Sequence, residues 1–386
     1  MGFGCPRWVW LLLAFLLATE SAYAAGEEKF RATHDDAATP STYEKGQAIG
    51  IKPGESFVIF PIPIGNPTVG AGLGLATALL YQVDDQSKPS YTGIGGFYTS
   101  NDSWGGGAMQ QLSFDGDRYR MSFAIGYASI HYDFFGVGTA AGNTGASIPI
   151  VQQGTYIKPV FLVRVFEDTH VGVHYRYVDI GTEIDFPDRG TALGNLLGDR
   201  NTDLVSAGPG LVFDWDTTDN SFYPTSGHLV DAEMTFATAS LYSDRTYRKG
   251  YASGAIYRED FDGGVLAGRL SGCYAGGDVP LFDLCLFGAN NDLRGYETGR
   301  YRDRALLAGQ IEQRWNFSGR WGLVGFAGIG AVAPSFGDML DTDLLASGGA
   351  GLRFEASKEY HVNLAIDWAV NADGDTSLYF RIGEAF

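Results

Sequence analysis

Asp115-Gly116-Asp117-Arg118-Tyr119-Arg120-Met121-Ser122-Phe123-Ala124-Ile125-Gly126-Tyr127 is the stretch whose reading decides the fold. Tyr119, Met121, Phe123, Ile125 and Tyr127 alternate with Arg118, Arg120, Ser122, Ala124 and Gly126. Successive side chains of an extended strand point to opposite faces, so one face here is apolar and the other small or charged. Asp-Gly-Asp in front of it is turn chemistry. The same period recurs in Val171, Val173, Tyr175 and Tyr177 against Gly172, His174 and Arg176. It recurs again in Val362, Leu364, Ile366 and Trp368 against His361, Asn363, Ala365 and Asp367.

A soluble sandwich would also alternate, so strand number, strand length and loop lengths must separate it from a membrane barrel. Strands are expected near 57–64, 68–83, 91–100, 105–114, 118–130, 154–166, 170–180 and 204–216. A further set follows near 227–241, 246–260, 264–274, 304–316, 321–333, 345–355, 360–370 and 376–386, giving an even total of sixteen. Tight turns at Asp115-Gly116-Asp117, Glu167-Asp168-Thr169 and Phe261-Asp262-Gly263 fall on one side of this arrangement. The long connections 131–153, 181–203 and 275–303 fall on the other. Outer-membrane barrels use strands of ~9–11 residues, short periplasmic turns and long external loops. The fold class expected is therefore all-β, a transmembrane antiparallel barrel occupying residues 57–386. Leu378, Phe380, Ile382 and Phe386 share one face of the last strand, and the terminal aromatic is expected in an interfacial girdle.

Composition agrees: 54 Gly, 21 Tyr and 25 Phe suit turns and strands. A mean hydropathy of -0.06 excludes a helical membrane protein. At the N-terminus Arg7, the apolar run Trp8–Ala18 and Ala22-Tyr23-Ala24 read as a secretory signal peptide over residues 1–24. Residues 25–56, with Glu27-Glu28-Lys29 and Asp35-Asp36, show no periodicity and read as a flexible periplasmic arm. Export puts Cys273 and Cys285 in an oxidising compartment, where they form a disulfide or remain two buried thiols. The net charge of -18, with no basic stripe, argues against nucleic acid as a partner and leaves the membrane itself.

No enzyme constellation emerges, and no cofactor or metal is expected. The six His lack metal-ligand spacing. Thr225-Ser226-Gly227 has no nucleophile-elbow context. Asp214, Asp216 and Asp219 read as turn residues in preference to a calcium loop.

One loop segment stands apart: Asn290-Asn291-Asp292-Leu293-Arg294-Gly295-Tyr296, between the eleventh and twelfth strand candidates. A Gly between a cation and an aromatic lets the backbone turn with positive φ and display Arg294, which then seeks an acid or sits in water. Asp292-Leu293-Arg294-Gly295-Tyr296 resembles the RGF/RGY loop motif of the Omp85 superfamily, the bacterial surface antigen or BamA/TamA-like outer-membrane proteins. Gly349-Ala350-Gly351-Leu352-Arg353 with Ile366-Asp367 and Phe386, and Phe57 to Gly72 with Pro61-Ile62-Pro63 and Asn66-Pro67-Thr68, are also similar to family segments. The resemblance implies a loop folded into the barrel, its Arg meeting acids on the twelfth and thirteenth strands. Glu312 has inward parity on the twelfth, although its neighbour Arg314 is an alternative partner.

Two positions depart from the family pattern. In Phe326-Ala327-Gly328-Ile329-Gly330, Gly328 stands where an acidic acceptor is expected, which throws Arg294 more heavily onto Glu312. The periplasmic turn keeps Asp216, Asp219, Asn220, Pro224 and Gly227 but has Thr218 where the family has Arg. The arm is too short for a POTRA domain, so a barrel lacking them is expected.

The resemblance implies assembly or translocation of outer-membrane clients, helped by a periplasmic protein. It would act by sideways opening between the first strand (57–64) and the last (377–386), where Gly383 weakens pairing. The competing expectations are a passive channel biased to anions by Arg118, Arg120, Arg164, His174, Arg176 and Arg353, and a structural or surface-interaction barrel.

Overall fold

A computed structural model describes residues 56–88, 90–184, 202–220, 223–261, 263–289, 292–357 and 361–386. The stretches expected to be a signal peptide and, up to residue 55, a flexible arm lie outside the described residues. The chain runs through β1 (Ser56–Asn66), β2 (Gly70–Tyr81), β3 (Ser90–Thr99), β4 (Trp104–Phe114), β5 (Tyr119–Phe134), the short α1 (Thr139–Asn143), β6 (Ile148–Phe166), β7 (Thr169–Ile184) and β8 (Thr202–Asp216). It continues through β9 (Gly227–Ala237), β10 (Tyr247–Phe261), β11 (Gly264–Gly277), β12 (Cys285–Leu286), β13 (Arg302–Asp303), β14 (Ala305–Ser318), β15 (Trp321–Ala333), β16 (Leu345–Ser357), β17 (Val362–Asn371) and β18 (Thr376–Ile382). Sixteen strands form one antiparallel sheet in sequence order, with β12 and β13 a separate two-stranded ribbon inside the loop between β11 and β14. The architecture is the sixteen-strand barrel expected from the alternation.

Alternation sets the two faces. Met121, Phe123, Ile125 and Tyr127 point outwards and are exposed, as are Val171, Val173, Leu364, Ile366 and Trp368. A band of large exposed apolar side chains around the outside of a closed sheet needs lipid, since in water it would drive aggregation. The opposite face is buried and polar: Lys158, His174, Arg176, Glu233, Glu312, Arg314, Arg353 and Asp367 are all almost fully enclosed. Toward the long-loop end the inner face becomes apolar, where Ile130, Tyr132, Ile150, Val178 and Ile180 belong to one cluster.

Three loops differ from expectation. The ladder between β5 and β6 runs on to Phe134 and Ile148, so the expected connection 131–153 shrinks to 135–147. Cross-strand bonds such as Tyr132 Oη to Gln152 Oε1, 2.8 Å, extend it with polar side chains that gave no strand signal. At 19 residues β6 rises ~60 Å, well beyond the ~25 Å apolar band, so this hairpin stands clear of the membrane. Of the expected connection 181–203, residues 185–201 lie outside the described residues. The connection 275–303 is not featureless: it carries the β12–β13 ribbon, whose base is capped where Gly138, just before α1, donates its N–H to the Arg302 carbonyl at 2.8 Å.

β1 and β18 are the two ends of the sheet order, and among the described residues no backbone ladder joins them. The ring of Phe380 instead lies against Gly65, where an added Cβ would sit 2.6 Å from its Cδ2.

Candidate functional site in the barrel lumen

The loop between β11 and β14 folds into the lumen and its tip is buried. Gly295 has φ +106, the left-handed conformation that a Gly at this point permits, and its N–H donates to Tyr379 Oη of β18 at 2.8 Å. Turning there aims Arg294 along the wall. Its Nη2 lies 2.5 Å from Glu312 Oε2 of β14 and its Nη1 2.8 Å from Asp367 Oδ2 of β17. The guanidinium also lies 3.5 Å from the ring centroid of Phe326 on β15. On either side of it, Asp292 accepts from Ser271 Oγ of β11 at 3.1 Å and Tyr296 Oη donates to the Ala346 carbonyl of β16 at 2.8 Å. Five consecutive residues thus touch the inner face of every strand from β14 to β18 as well as β11. Asn290 and Asn291, at the start of the motif, lie outside the described residues.

Below the tip, charge continues toward the short-turn end. Glu312 Oε1 accepts from Arg314 Nε at 2.8 Å, so both readings of Glu312 hold at once: it serves Arg294 and its neighbour. Asp367 Oδ1 accepts from Arg353 at 2.5 Å, and Arg353 reaches Glu384 at 2.7 Å. Arg381 approaches Asp367 at 3.6 Å. Four guanidiniums therefore interleave with three carboxylates in an enclosed space. Charge-assisted pairs there are stronger than on the surface, and losing one partner strands a buried charge.

Arg314 also donates to the Pro224 carbonyl at 3.3 Å, tying the turn between β8 and β9 to this cluster. In that turn Asp219 accepts from Thr225 Oγ1 at 2.6 Å and from the N–H groups of Thr225 and Ser226. Burial pushes the Asp219 carboxyl up, but the hydrogen bonds from Thr225 and Ser226 outweigh it and hold the group below the usual carboxylate range. Asn220 Oδ1 accepts from the Tyr223 N–H at 2.9 Å, Gly227 takes φ +100, and Thr218 Oγ1 donates to Asp216 at 2.6 Å. Asp214 pairs with Arg120, so the three acids are separately engaged and form no cage.

Two expectations are corrected here. Phe386 does not stand in an outer girdle. β18 ends at Ile382, which pairs by its backbone with Leu364. Gly383 then takes φ +82 and the chain turns inward, so that Phe386 packs beside Ala255, Tyr257 and Ala267, and its main-chain oxygen accepts from Arg314. Phe380 and Leu378 do face outward. Nor does Arg294 lean on Glu312 alone. Asp367 supplies the second acceptor from the fifteenth strand of the sheet in place of the thirteenth. Gly328 is where the loop itself sits: a Cβ there would lie 2.5 Å from Leu293 Cδ1 and 2.6 Å from the Gly309 carbonyl oxygen. An acid at 328 and a leucine at 293 cannot share that space. Asp367 carried a sequence signal, its place on the polar face of its strand, but nothing local told which distant loop it would meet.

Cys273, near the end of β11, and Cys285 of β12 form a disulfide that ties the base of the loop to the wall. The loop's other end rests near β1, where the Thr298 N–H donates to Thr68 Oγ1 at 2.9 Å.

The Omp85 superfamily domain matches residues 97–386, three quarters of the chain, which include Arg294 and all the charged residues of the lumen cluster. This chain belongs to the Omp85 superfamily. Its barrel is similar to that of BamA from Haemophilus ducreyi lacking POTRA domains 1-3, with 14% identity over 85% of this chain and 69% of that one and a TM-score of 0.57. CdiB from Escherichia coli is 13% identical over 87% of this chain and 63% of its own, with a TM-score of 0.58. CdiB from Acinetobacter baumannii is 11% identical over 85% and 59%, with a TM-score of 0.53. The chain thus spans between 59% and 69% of the length of these three, and at such identities the likeness is one of fold. No curated protein sequence matches it. As an Omp85 barrel it is an outer-membrane protein.

Proposed function

We propose that this Omp85 barrel is an assembly or translocation factor that handles client proteins of the outer membrane at the seam between β1 and β18. The observation that carries the reading is the seam: two strand ends meet through side chains such as Phe380 on Gly65, with no ladder among the described residues. Unpaired backbone at a sheet edge is a template for another strand, and in lipid it has no water to satisfy it. A client strand would satisfy it. The inward loop supports this reading from behind, since it touches Tyr379 on one side of the seam and Thr68 on the other without depending on their mutual pairing.

Anion conduction has less support. Of the side chains proposed to line a pore, Arg120, Arg176 and Arg353 are each engaged with a carboxylate and His174 is hydrogen-bonded to Thr235, while Arg118 and Arg164 are exposed. Export by a cleaved signal peptide and help from a periplasmic protein belong to the same proposal.

The test is in cells. Loss of the protein, or Arg294→Ala, is expected to reduce the folded fraction of at least one other outer-membrane protein. Normal levels of every outer-membrane protein and lipid in both strains would overturn the reading and leave a structural barrel.

A further inference from the structure

Arg294 is one end of the loop's hold on the barrel, and the structure assigns the other end to Asp283. Asp283 is fully buried eleven residues earlier in the same loop and lies against β7 and β10. Arg176 of β7 clamps it with two bonds, Nη1 to Oδ2 at 2.6 Å and Nη2 to Oδ1 at 3.0 Å. Lys249 of β10 donates to Oδ1 at 3.0 Å, and Tyr247 of β10 donates to Oδ2. The four donors fill the acceptor capacity of one carboxylate. Phe282 beside it is buried in the apolar cluster that includes Ile130, Ile150, Val178 and Ile180, so this end is wedged as well as charged.

Counting along the sixteen-strand sheet, the donors to Asp283 stand on β7 and β10, places seven and ten, and the acceptors of Arg294 on β14 and β17, places twelve and fifteen, so the two anchors occupy separate sectors of the wall. The loop is therefore held at two sectors of the lumen wall, by Asp283 against the cations Arg176 and Lys249 and by Arg294 against the carboxylates Glu312 and Asp367. Two buried charge anchors, with the Cys273–Cys285 disulfide between them, mean that breaking one leaves the loop inside the barrel. Arg294 alone does not determine whether the lumen is obstructed. This inference concerns the loop's position and stands apart from client handling.

The test uses the whole barrel refolded in detergent, with Asp283→Asn, Arg294→Gln and the double substitution, each checked for folding by its heat-modifiable gel mobility. Hydrogen exchange is read separately over residues 278–284 and 292–297. Asp283→Asn is expected to speed exchange at least about tenfold in the first segment, through loss of a buried charge pair, and to leave the second protected. Arg294→Gln is expected to do the reverse. In planar bilayers each single variant should stay near the wild-type conductance, and the double variant with its disulfide reduced should show large steady openings. Unchanged exchange at 278–284 in Asp283→Asn overturns the inference, as does a fully open lumen in Arg294→Gln alone. If the double variant does not fold, the two single exchange patterns decide by themselves.

Discussion

At residue scale, Glu312 and Arg294 are not equivalent members of their pair. Removing Arg294 leaves Glu312 with Arg314 and Asp367 with Arg353, whereas removing Glu312 leaves Arg294 with Asp367 but takes from Arg314 its one close carboxylate, Glu384 being 3.9 Å away. Glu312→Ala should cost about 3 kcal/mol, near the figure for breaking a buried pair, and Arg294→Ala less than half of that. Urea midpoints of the folded band in detergent would read the difference. Gly328 makes a second prediction, because its missing side chain is filled by Leu293. Gly328→Ala should cost about 1–3 kcal/mol through overpacking, and adding Leu293→Ala should recover only part of it, since the Gly309 carbonyl also crowds the position. Glu312 was legible because its inward parity follows from strand alternation. Asp367 was not assigned to Arg294, because that pairing depends on how deeply the loop descends and on which strand lies beneath it. Both are properties of the closed barrel, with no local trace in the chain.

At the scale of elements, the strands were readable and their ends were not. Alternation continues into the polar parts of β5, β6 and β7, where inner positions such as Tyr132 and Gln152 bond across the ladder and apolar contrast disappears. The inward turn after β18 was missed for a related reason: Gly383 marked a weakness in pairing, but the sequence does not say toward which face the chain then bends. The turn between β8 and β9 gives a pH prediction. Asp219 titrates below its unfolded value, so what it contributes is present above the ordinary carboxylate pKa and is lost as pH falls through the lower, folded one. Asp219→Asn should therefore lower the thermal midpoint at pH 7, and its difference from the parent should shrink on acidification below about pH 4. The disulfide gives another. Closing a ring between residues 12 apart should stabilise by about 3 kcal/mol, so reductant should lower the midpoint of the parent and leave Cys273→Ser unaffected.

For the molecule as a whole, sixteen strands and the sorting of loops by length followed from pattern alone, while closure did not, because β1 and β18 lie at opposite ends of the sequence. Their contact at Gly65 and Phe380 can be tested directly. Gly65→Val should displace the Phe380 ring and lower the temperature at which the barrel loses its compact gel mobility, and Phe380→Ala in the same chain should restore part of it. The loop's contacts with Thr68 and Tyr379 add something that the seam's own packing does not. Two edges that part in a fluid bilayer would ordinarily drift, and bringing them back would cost the entropy of a search. Here both remain tethered to a common crosspiece a few residues long, so rejoining is an intramolecular step at high effective concentration. On the function proposed above, opening would be a reversible excursion with a short return path, and a client strand would compete with that return rather than with empty lipid.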